Sequence, residues 1–265
     1  MPTSSYSRIL IFATALSVFT SSTFGAEVEL PAKEQFHLYL LIGQSNMAGR
    51  GAVEESDRQA HPRVLMLDKQ NAWQPAVDPL HFDKPIAGVG LGSSFGRTMA
   101  DADPKITVGL IPCAVGGTPL SRWQKDGDLY KQAVERAKAA MKHGTLRGIL
   151  WHQGESDADS ETTARSYGER LAQMIKDLRT KLGGGQTPFV AGELGPFLRR
   201  ETKDGKPALW PIVNEQLAAL PMRVEKTALV SAKDLKHKGD EVHFDAASLR
   251  EFGKRYAAAM QRLQE

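Results

Sequence analysis

The composition of the chain limits the kinds of protein that it can be. Of its 265 residues, 41% are hydrophobic and 25% are charged, and 34 Lys and Arg against 31 Asp and Glu give a formal charge of +3. This composition is typical of a folded globular protein and excludes an intrinsically disordered chain. The near balance of charge argues against a nucleic-acid-binding protein. The single cysteine, Cys113, excludes a disulfide scaffold and a Cys-rich zinc site.

The first 25 residues have the pattern of a secretory signal peptide. Arg8 precedes an apolar run over residues 9–19, and small residues follow as far as Gly25. The run is about half as long as the roughly 20 apolar residues needed to cross a bilayer, which argues against a membrane anchor. We therefore predict that residues 1–25 are a signal peptide and that residues 26–265 form one secreted or periplasmic domain. After cleavage, this domain is expected to have no association with membranes.

From residue 37 onwards, short apolar segments alternate with longer amphipathic ones. The apolar segments predict buried strands over residues 37–42, 64–67, 106–111, 148–151, 189–191 and 228–230. Apolar residues at helical spacing predict helices over residues 128–142, 164–182 and 246–263, the last with Asp245 as its N-cap. The alternation is typical of an α/β domain with a parallel sheet covered on both faces. The intervening stretches 49–63, 71–92 and 195–211 are expected to form the loops that determine substrate specificity.

A serine follows the first predicted strand directly. Ser45 lies within GQSNMAGRG, at the point where a parallel strand presents residues at the carboxyl edge of the sheet. Glycines on both sides allow a sharp turn, which can expose the hydroxyl together with backbone N–H groups. Two interpretations stay open from this segment alone: Ser45 is a nucleophile, or it is an ordinary turn residue that bonds to the backbone.

A serine nucleophile needs a histidine base, which in turn needs an acceptor that fixes its tautomer. The spacing Asp-x-x-His occurs twice near the C-terminus, in Asp234 with His237 and in Asp240 with His243. His237 lies between two lysines, which disfavours an imidazolium there. His243 precedes the last predicted helix and is therefore anchored at the edge of an element. We favour the second pair.

Two further segments follow predicted strands at the same edge. CAVGGTPLSRW over residues 113–123 contains a Gly-Gly turn that can offer backbone N–H groups to an oxyanion. HQGESD over residues 152–157 contains an amide, in Gln153, that can donate to the same oxyanion. Each segment alone is also consistent with an ordinary turn.

No cofactor and no metal are expected. Residues 88–92 (GVGLG) superficially resemble a dinucleotide loop, but no strand precedes them and no acidic residue follows at the required distance. The His, Asp and Glu residues show no HExxH or comparable metal-ligand spacing.

Four segments together resemble a known family. GQSNMAGRG, CAVGGTPLSRW, WHQGESD and DEVHFD resemble, in content and order, the blocks of the SGNH-hydrolase superfamily. The resemblance is to its branch of carbohydrate acetylesterases, which includes sialate O-acetylesterases and acetylxylan esterases. It extends over residues 38–256 and implies a flavodoxin-like, three-layer α/β/α sandwich.

The resemblance also implies roles for individual residues. Ser45 matches the nucleophile, His243 the base and Asp240 its acidic partner. The backbone N–H groups of Ser45 and Gly117, with Gly116 as a close alternative to the latter, match an oxyanion hole. Gln153 replaces the Asn that gives the superfamily part of its name and would be the third donor. Glu155 resembles a second acidic partner of the histidine, although a structural carboxylate is an equal alternative.

The function implied is that of a secreted serine esterase that removes O-acetyl groups from carbohydrates, such as xylan-type polysaccharides or sialic acid. One alternative is a general SGNH esterase or lipase acting on small acyl esters, and another is a non-catalytic carbohydrate-binding protein of the same fold. Arg50, Arg122 and Trp123 are the candidates for substrate contacts. The expected partner is an acetylated carbohydrate, and nucleic acid is not expected.

Overall fold

The computed structural model describes Met1 and residues 28–198 and 205–265. The predicted signal peptide and its cleavage site, apart from Met1, lie outside the described residues. The same holds for residues 199–204 within the predicted loop 195–211. Among the described residues, no helix is both long and apolar enough to cross a membrane.

A single seven-stranded sheet forms the centre of the protein, with strand order β3-β2-β4-β1-β5-β6-β7. All neighbouring strands are parallel except β3, which runs antiparallel to β2. The six predicted strands are confirmed. The strands are β1 (Phe36–Gly43), β2 (Val64–Leu67), β3 (Trp73–Pro75), β4 (Thr107–Pro112), β5 (Thr145–His152), β6 (Phe189–Gly192) and β7 (Thr227–Val230).

In the described part of the chain, eight α-helices pack around these strands, together with two 3₁₀ turns at Glu55–Arg58 and Leu120–Arg122. The predicted helices 128–142 and 246–263 are confirmed, whereas the predicted helix 164–182 is divided into α4 and α5 at Ser166. The helices are α1 (Ser45–Ala48), α2 (Leu91–Ala102), α3 (Asp128–Ala140), α4 (Glu161–Arg165), α5 (Tyr167–Leu182), α6 (Trp210–Ala218), α7 (Leu220–Arg223) and α8 (Ala246–Gln264).

The predicted loop 71–92 is corrected in part, because it contains β3 and the start of α2. Three residues of β3 are too few to show a periodic pattern, and Gly and Ser within α2 disfavour a helix when considered locally. Tertiary packing stabilises α2 instead. A Cβ added at Gly253 of α8 would lie 2.3 Å from the carbonyl oxygen of Leu91, so the glycine permits these two helices to approach closely.

Alternating residues of β1 enter two separate hydrophobic layers. Phe36, Leu38, Leu40 and Ile42 pack with residues of α3, α5 and α6 on one face of the sheet. Tyr39 and Leu41 pack on the other face with residues of α2 and α8. Because successive strand residues point to opposite faces, this arrangement confirms the predicted three-layer α/β/α sandwich.

Candidate active site

The turn between β1 and α1 positions Ser45 at the carboxyl edge of the sheet. Gly43 has φ of +136°, and a Cβ added there would lie 2.1 Å from the carbonyl oxygen of His152, so only glycine fits. The N–H of Gln44 donates to that same carbonyl at 2.9 Å. Ser45 is therefore held at the first position of α1, where it is 6% exposed.

Ser45, His243 and Asp240 form a continuous chain of hydrogen bonds. His243 Nε2 lies 3.0 Å from Ser45 Oγ, and His243 Nδ1 lies 2.7 Å from Asp240 Oδ2. A carboxylate accepts, so Nδ1 carries the proton and Nε2 is left as the acceptor for the serine hydroxyl. The structure thus brings together three side chains that the sequence places up to 198 positions apart. This is the geometry required for a base that activates a serine nucleophile.

Backbone N–H groups of its own loop hold the carboxylate of Asp240 in place. Asp240 Oδ1 accepts the backbone N–H of His243 at 2.8 Å and that of Val242 at 3.0 Å. Desolvation acts to raise the pKa of Asp240, but hydrogen bonds from the backbone and side chain of His243 and from Val242 outweigh it and lower this pKa to about 2. Asp240 is therefore ionised at neutral pH and can stabilise an imidazolium at His243.

The alternative histidine, His237, has a different role. Its Nδ1 accepts the backbone N–H groups of Gly239 and Glu241, each at 3.1 Å. These contacts organise the turn that leads to Asp240. His237 has no hydrogen bond to Ser45 among the described residues, so the geometry selects His243, as the sequence favoured.

The Gly-Gly turn after β4 lies against the nucleophile. A Cβ added at Gly116 would lie 3.4 Å from Ser45 Cβ. The N–H of Gly116 is already occupied, since it donates to Asp83 Oδ2 at 2.8 Å. Gly117 has φ of +78°, and its N–H has no hydrogen-bond partner within the described parts of the chain. The N–H of Ser45, at the start of α1, is equally free. The free groups are thus those of Ser45 and Gly117.

The predicted role of Gln153 in the oxyanion hole is corrected. Gln153 is fully buried, and its Nε2 donates to the carbonyl oxygen of Thr118 at 3.0 Å and to Asp157 Oδ2 at 2.7 Å. Its Oε1 accepts the hydroxyl of Tyr167 at 2.9 Å. Because an amide NH₂ group has two protons, no donor remains for an oxyanion. Gln153 therefore ties together the loops behind the site.

Gln44 was not predicted as a site residue, yet its side-chain amide has the free donor that Gln153 lacks. It is 2% exposed and immediately precedes the nucleophile. Its Oε1 accepts the backbone N–H of Ser156 at 3.3 Å, whereas its Nε2 has no hydrogen-bond partner among the described residues. Gln44 thus places an anchored amide with a free donor in the residue next to Ser45. The sequence signal that could have indicated it is its position next to the serine.

Glu155 does not contact His243 in the structure, which corrects its predicted role as a direct second partner. Its carboxylate is 1% exposed, and Oε1 accepts Asn46 Nδ2 at 2.6 Å. Its other neighbour is His152, whose Nδ1 lies 3.8 Å from the same oxygen. Burial lowers the pKa of His152, although Glu155 opposes this change. The hydrogen bond to Asn46 therefore connects Glu155 to the site.

Asn46, which sequence reasoning also missed, holds the backbone on both sides of the histidine. Its Nδ2 donates to the carbonyl oxygen of Val242 at 3.1 Å, and its Oδ1 accepts the N–H of Phe244 at 3.1 Å. The bond to Glu155 fixes the orientation of this amide. The residue after the nucleophile thereby connects the turn of Ser45 to the loop of His243.

Two of the predicted substrate contacts, Arg50 and Trp123, are buried and paired within the protein, so these two predictions are corrected, whereas Arg122 is exposed and stays a prediction. The side chain of Arg50 is 2% exposed and pairs with Asp83 at 2.7 Å, which supports the Gly116 turn. Trp123 is 1% exposed and donates through Nε1 to Thr118 Oγ1 at 3.1 Å, within the core. Arg122 is exposed, but its guanidinium is paired with Asp128 by two hydrogen bonds.

Comparison with known proteins identifies the family of the chain. The family described as carbohydrate esterase, sialic acid-specific acetylesterase, matches residues 35–262. A probable carbohydrate esterase of Arabidopsis thaliana is 30% identical over 245 residues, which cover 84% of this chain and 89% of the relative. Its crystal structure superimposes with a TM-score of 0.78 at 27% identity and covers 88% of this chain and 99% of that chain.

Two more distant structures share the fold. NanS superimposes with a TM-score of 0.72 at 17% identity, over 88% of this chain and 98% of that one. A carbohydrate acetylesterase from Xanthomonas citri gives 0.66 at 19% identity, over 87% of this chain and 56% of that one. The predicted SGNH-type fold is thereby confirmed. From the extent of the family match, the chain belongs to the carbohydrate esterase family of sialic acid-specific acetylesterases and is a carboxylic ester hydrolase.

Proposed function

We propose that this protein removes O-acetyl groups from carbohydrates through an acyl-enzyme formed on Ser45. The observation that carries the proposal is the hydrogen-bonded chain from Ser45 Oγ through His243 to Asp240, with bonds of 3.0 and 2.7 Å. A protein that only bound carbohydrate would not need a serine aligned with an oriented histidine and a carboxylate of low pKa. The assembled side chains therefore support hydrolysis.

In the first half of the reaction, Ser45 Oγ attacks the acetyl carbonyl carbon while His243 Nε2 accepts the hydroxyl proton. The carbonyl oxygen becomes an oxyanion, which the free N–H groups of Ser45 and Gly117 stabilise, together with the Nε2 of Gln44. The C–O bond to the sugar then breaks. His243 returns its proton to the departing sugar oxygen, and the acetyl group remains on Ser45.

In the second half, a water molecule takes the place of the sugar. His243 removes a proton from this water as its oxygen attacks the acetyl carbonyl carbon, and the same donors stabilise the second oxyanion. Collapse of this intermediate breaks the bond to Ser45 Oγ, to which His243 returns the proton, and releases acetic acid. Asp240 remains ionised throughout and stabilises the imidazolium in both halves.

Export from the cytoplasm is also part of the proposal. It is supported by the charged, apolar and small-residue pattern of residues 1–25. Sequencing the N-terminus of the protein recovered from outside the cytoplasm of the expressing cell tests this point. A mature chain that still begins at Met1 would contradict it.

The activity is tested by measuring acetate released from acetylated xylan and from O-acetylated sialic acid, beside hydrolysis of acetyl and long-acyl aryl esters. We expect acetate release by the wild type and a loss of at least three orders of magnitude in Ser45→Ala, as is usual for a lost nucleophile. Ser56→Ala, which alters an exposed serine, is the matched control. Equal release by wild type and Ser45→Ala would refute the serine mechanism, and preference for long acyl chains would favour a lipase.

A further inference from the structure

Two adjoining cavities lie beside the proposed active site, on the side of β4 and β2. Their volumes are about 650 and 290 Å³, and both are lined by Lys69, His81, Phe82 and Asp83. Lys69 follows the end of β2, and the smaller cavity is also lined by the segment that follows β4. Since β4 pairs with β1 in parallel, the cavities and Ser45 lie at the same edge of the sheet.

The wall of these cavities is connected to the nucleophile through Gly116. Asp83, which lines both, accepts the N–H of Gly116 at 2.8 Å. A Cβ on Gly116 would lie 3.4 Å from Ser45 Cβ, so one residue separates the cavity wall from the serine. The ends of β2 and β1 are two strand spacings apart, or about 10 Å. This separation suits a sugar unit joined to the one whose acetyl group reaches Ser45.

Two residues of the lining carry buried donors that no described protein group satisfies. His81 is 3% exposed, and its Nδ1 accepts the backbone N–H of Ala114 at 3.3 Å, so the proton is on Nε2. That Nε2, like the Nε of Arg136, a residue that lines the smaller cavity, has no hydrogen-bond partner in the described part of the chain. Burial lowers the pKa of His81 to about 3, which keeps the ring neutral and its N–H a permanent donor. Unsatisfied buried donors are rare, and both of these side chains belong to residues that line the smaller cavity.

The remaining lining suits the mixed surface of a sugar. Phe82 offers an aromatic ring that is flanked by Lys69 at 5.8 Å and by Arg136 at 5.0 Å from its centroid. The exposed side chains of Gln70 and Gln74 add amide groups that can both donate and accept. An aromatic wall with a few polar groups is the usual composition of a small-molecule site, and the volumes are of the usual size.

We propose that this double cavity binds the sugar unit next to the acetylated one, so that oligosaccharides are better substrates than single sugars or small esters. The inference rests on the proposed function and adds to it the direction in which the glycan extends from Ser45, across Gly116 towards Phe82.

The test compares Gln74→Ala and Phe82→Ala with the wild type on an acetylated xylo-oligosaccharide and on an aryl acetate. We expect each variant to raise KM for the oligosaccharide at least tenfold more than KM for the aryl ester. Gln173→Ala, in a cavity beside α5 that shares no residue with these two, is the matched control. Equal changes in KM on both substrates, or no change on either, would overturn the proposal.

A binding measurement covers the case in which Phe82→Ala does not fold. Calorimetry with Ser45→Ala and the deacetylated oligosaccharide should show binding that Gln74→Ala, introduced in addition, weakens at least tenfold. Unchanged binding would overturn the subsite. Failure of the subsite proposal can be distinguished from failure of the proposed function. A wild type that hydrolyses aryl acetate but releases no acetate from any glycan would by itself refute the proposed function.

Discussion

The side chain of Asn46 is the connection between nucleophile and base that can be tested most directly. Substitution Asn46→Ala removes three hydrogen bonds, to Glu155, to the carbonyl oxygen of Val242 and from the N–H of Phe244. We expect both a less stable protein and a slower enzyme, because the same bonds hold the backbone on each side of His243.

The size of each effect follows from the structure. The bond to the buried Glu155 carboxylate contributes about 1.5–3 kcal/mol and each of the others about 0.5–1.5 kcal/mol, so the free energy of unfolding should fall by about 2.5–6 kcal/mol. If the His243 loop moves by about 1 Å, kcat should fall about 100-fold. KM for a small ester should change much less, because the side chain of Asn46 bonds to Glu155 and to the backbone and is not assigned a contact with the substrate.

The assay is hydrolysis of an aryl acetate at a temperature where the variant is folded, with urea unfolding measured in parallel. Asn214→Ala is the matched control, because Asn214 also bonds a backbone N–H and carbonyl, at 2.8 and 3.0 Å, but both belong to Leu194. It should lose stability with little loss of kcat. If Asn46→Ala loses stability but keeps wild-type kcat, the positioning argument is wrong.

Three further outcomes are expected. Burial is the main cause that raises the pKa of Asp78 to about 7, so the protonated carboxyl favours the folded state. This contribution of about 4 kcal/mol to the free energy of unfolding is lost as pH rises from about 4 to 8. Urea unfolding of Asp78→Asn should therefore show a flatter pH dependence of stability than the wild type, and an unchanged pH dependence contradicts the reasoning. Gly117→Ala keeps the backbone N–H but strains its left-handed backbone, which should displace this N–H and lower kcat about 100-fold, whereas Gly183→Ala, with similar φ and equal space, should not; equal kcat values would contradict the argument that the backbone conformation of Gly117 positions a donor. Gln153→Ala should reduce the unfolding midpoint but lower kcat less than tenfold, and a larger loss would restore its role in the oxyanion hole.

Much of the fold could be predicted because it depends on local patterns. Six strands and the helix that begins after Asp245 follow from apolar periodicity and from an N-cap, which accepts the N–H of Ser248 at 2.7 Å in the structure. The helix α2 could not be predicted in this way. Its Gly and Ser residues are poor helix formers, and its stability comes from contact with α8 at Gly253, which is distant in sequence.

By itself, the sequence determined which side chains are available for chemistry: Ser45, Asp240 and His243 lie in segments whose order and residue types indicate a serine esterase. Tertiary structure alone decided which polar groups are still free once the chain has folded. Gln153 and Arg50 have suitable side chains, but in the fold their donors are bonded to Asp157 and Asp83. Such pairings depend on side chains from separate loops and on burial, which local sequence patterns do not encode.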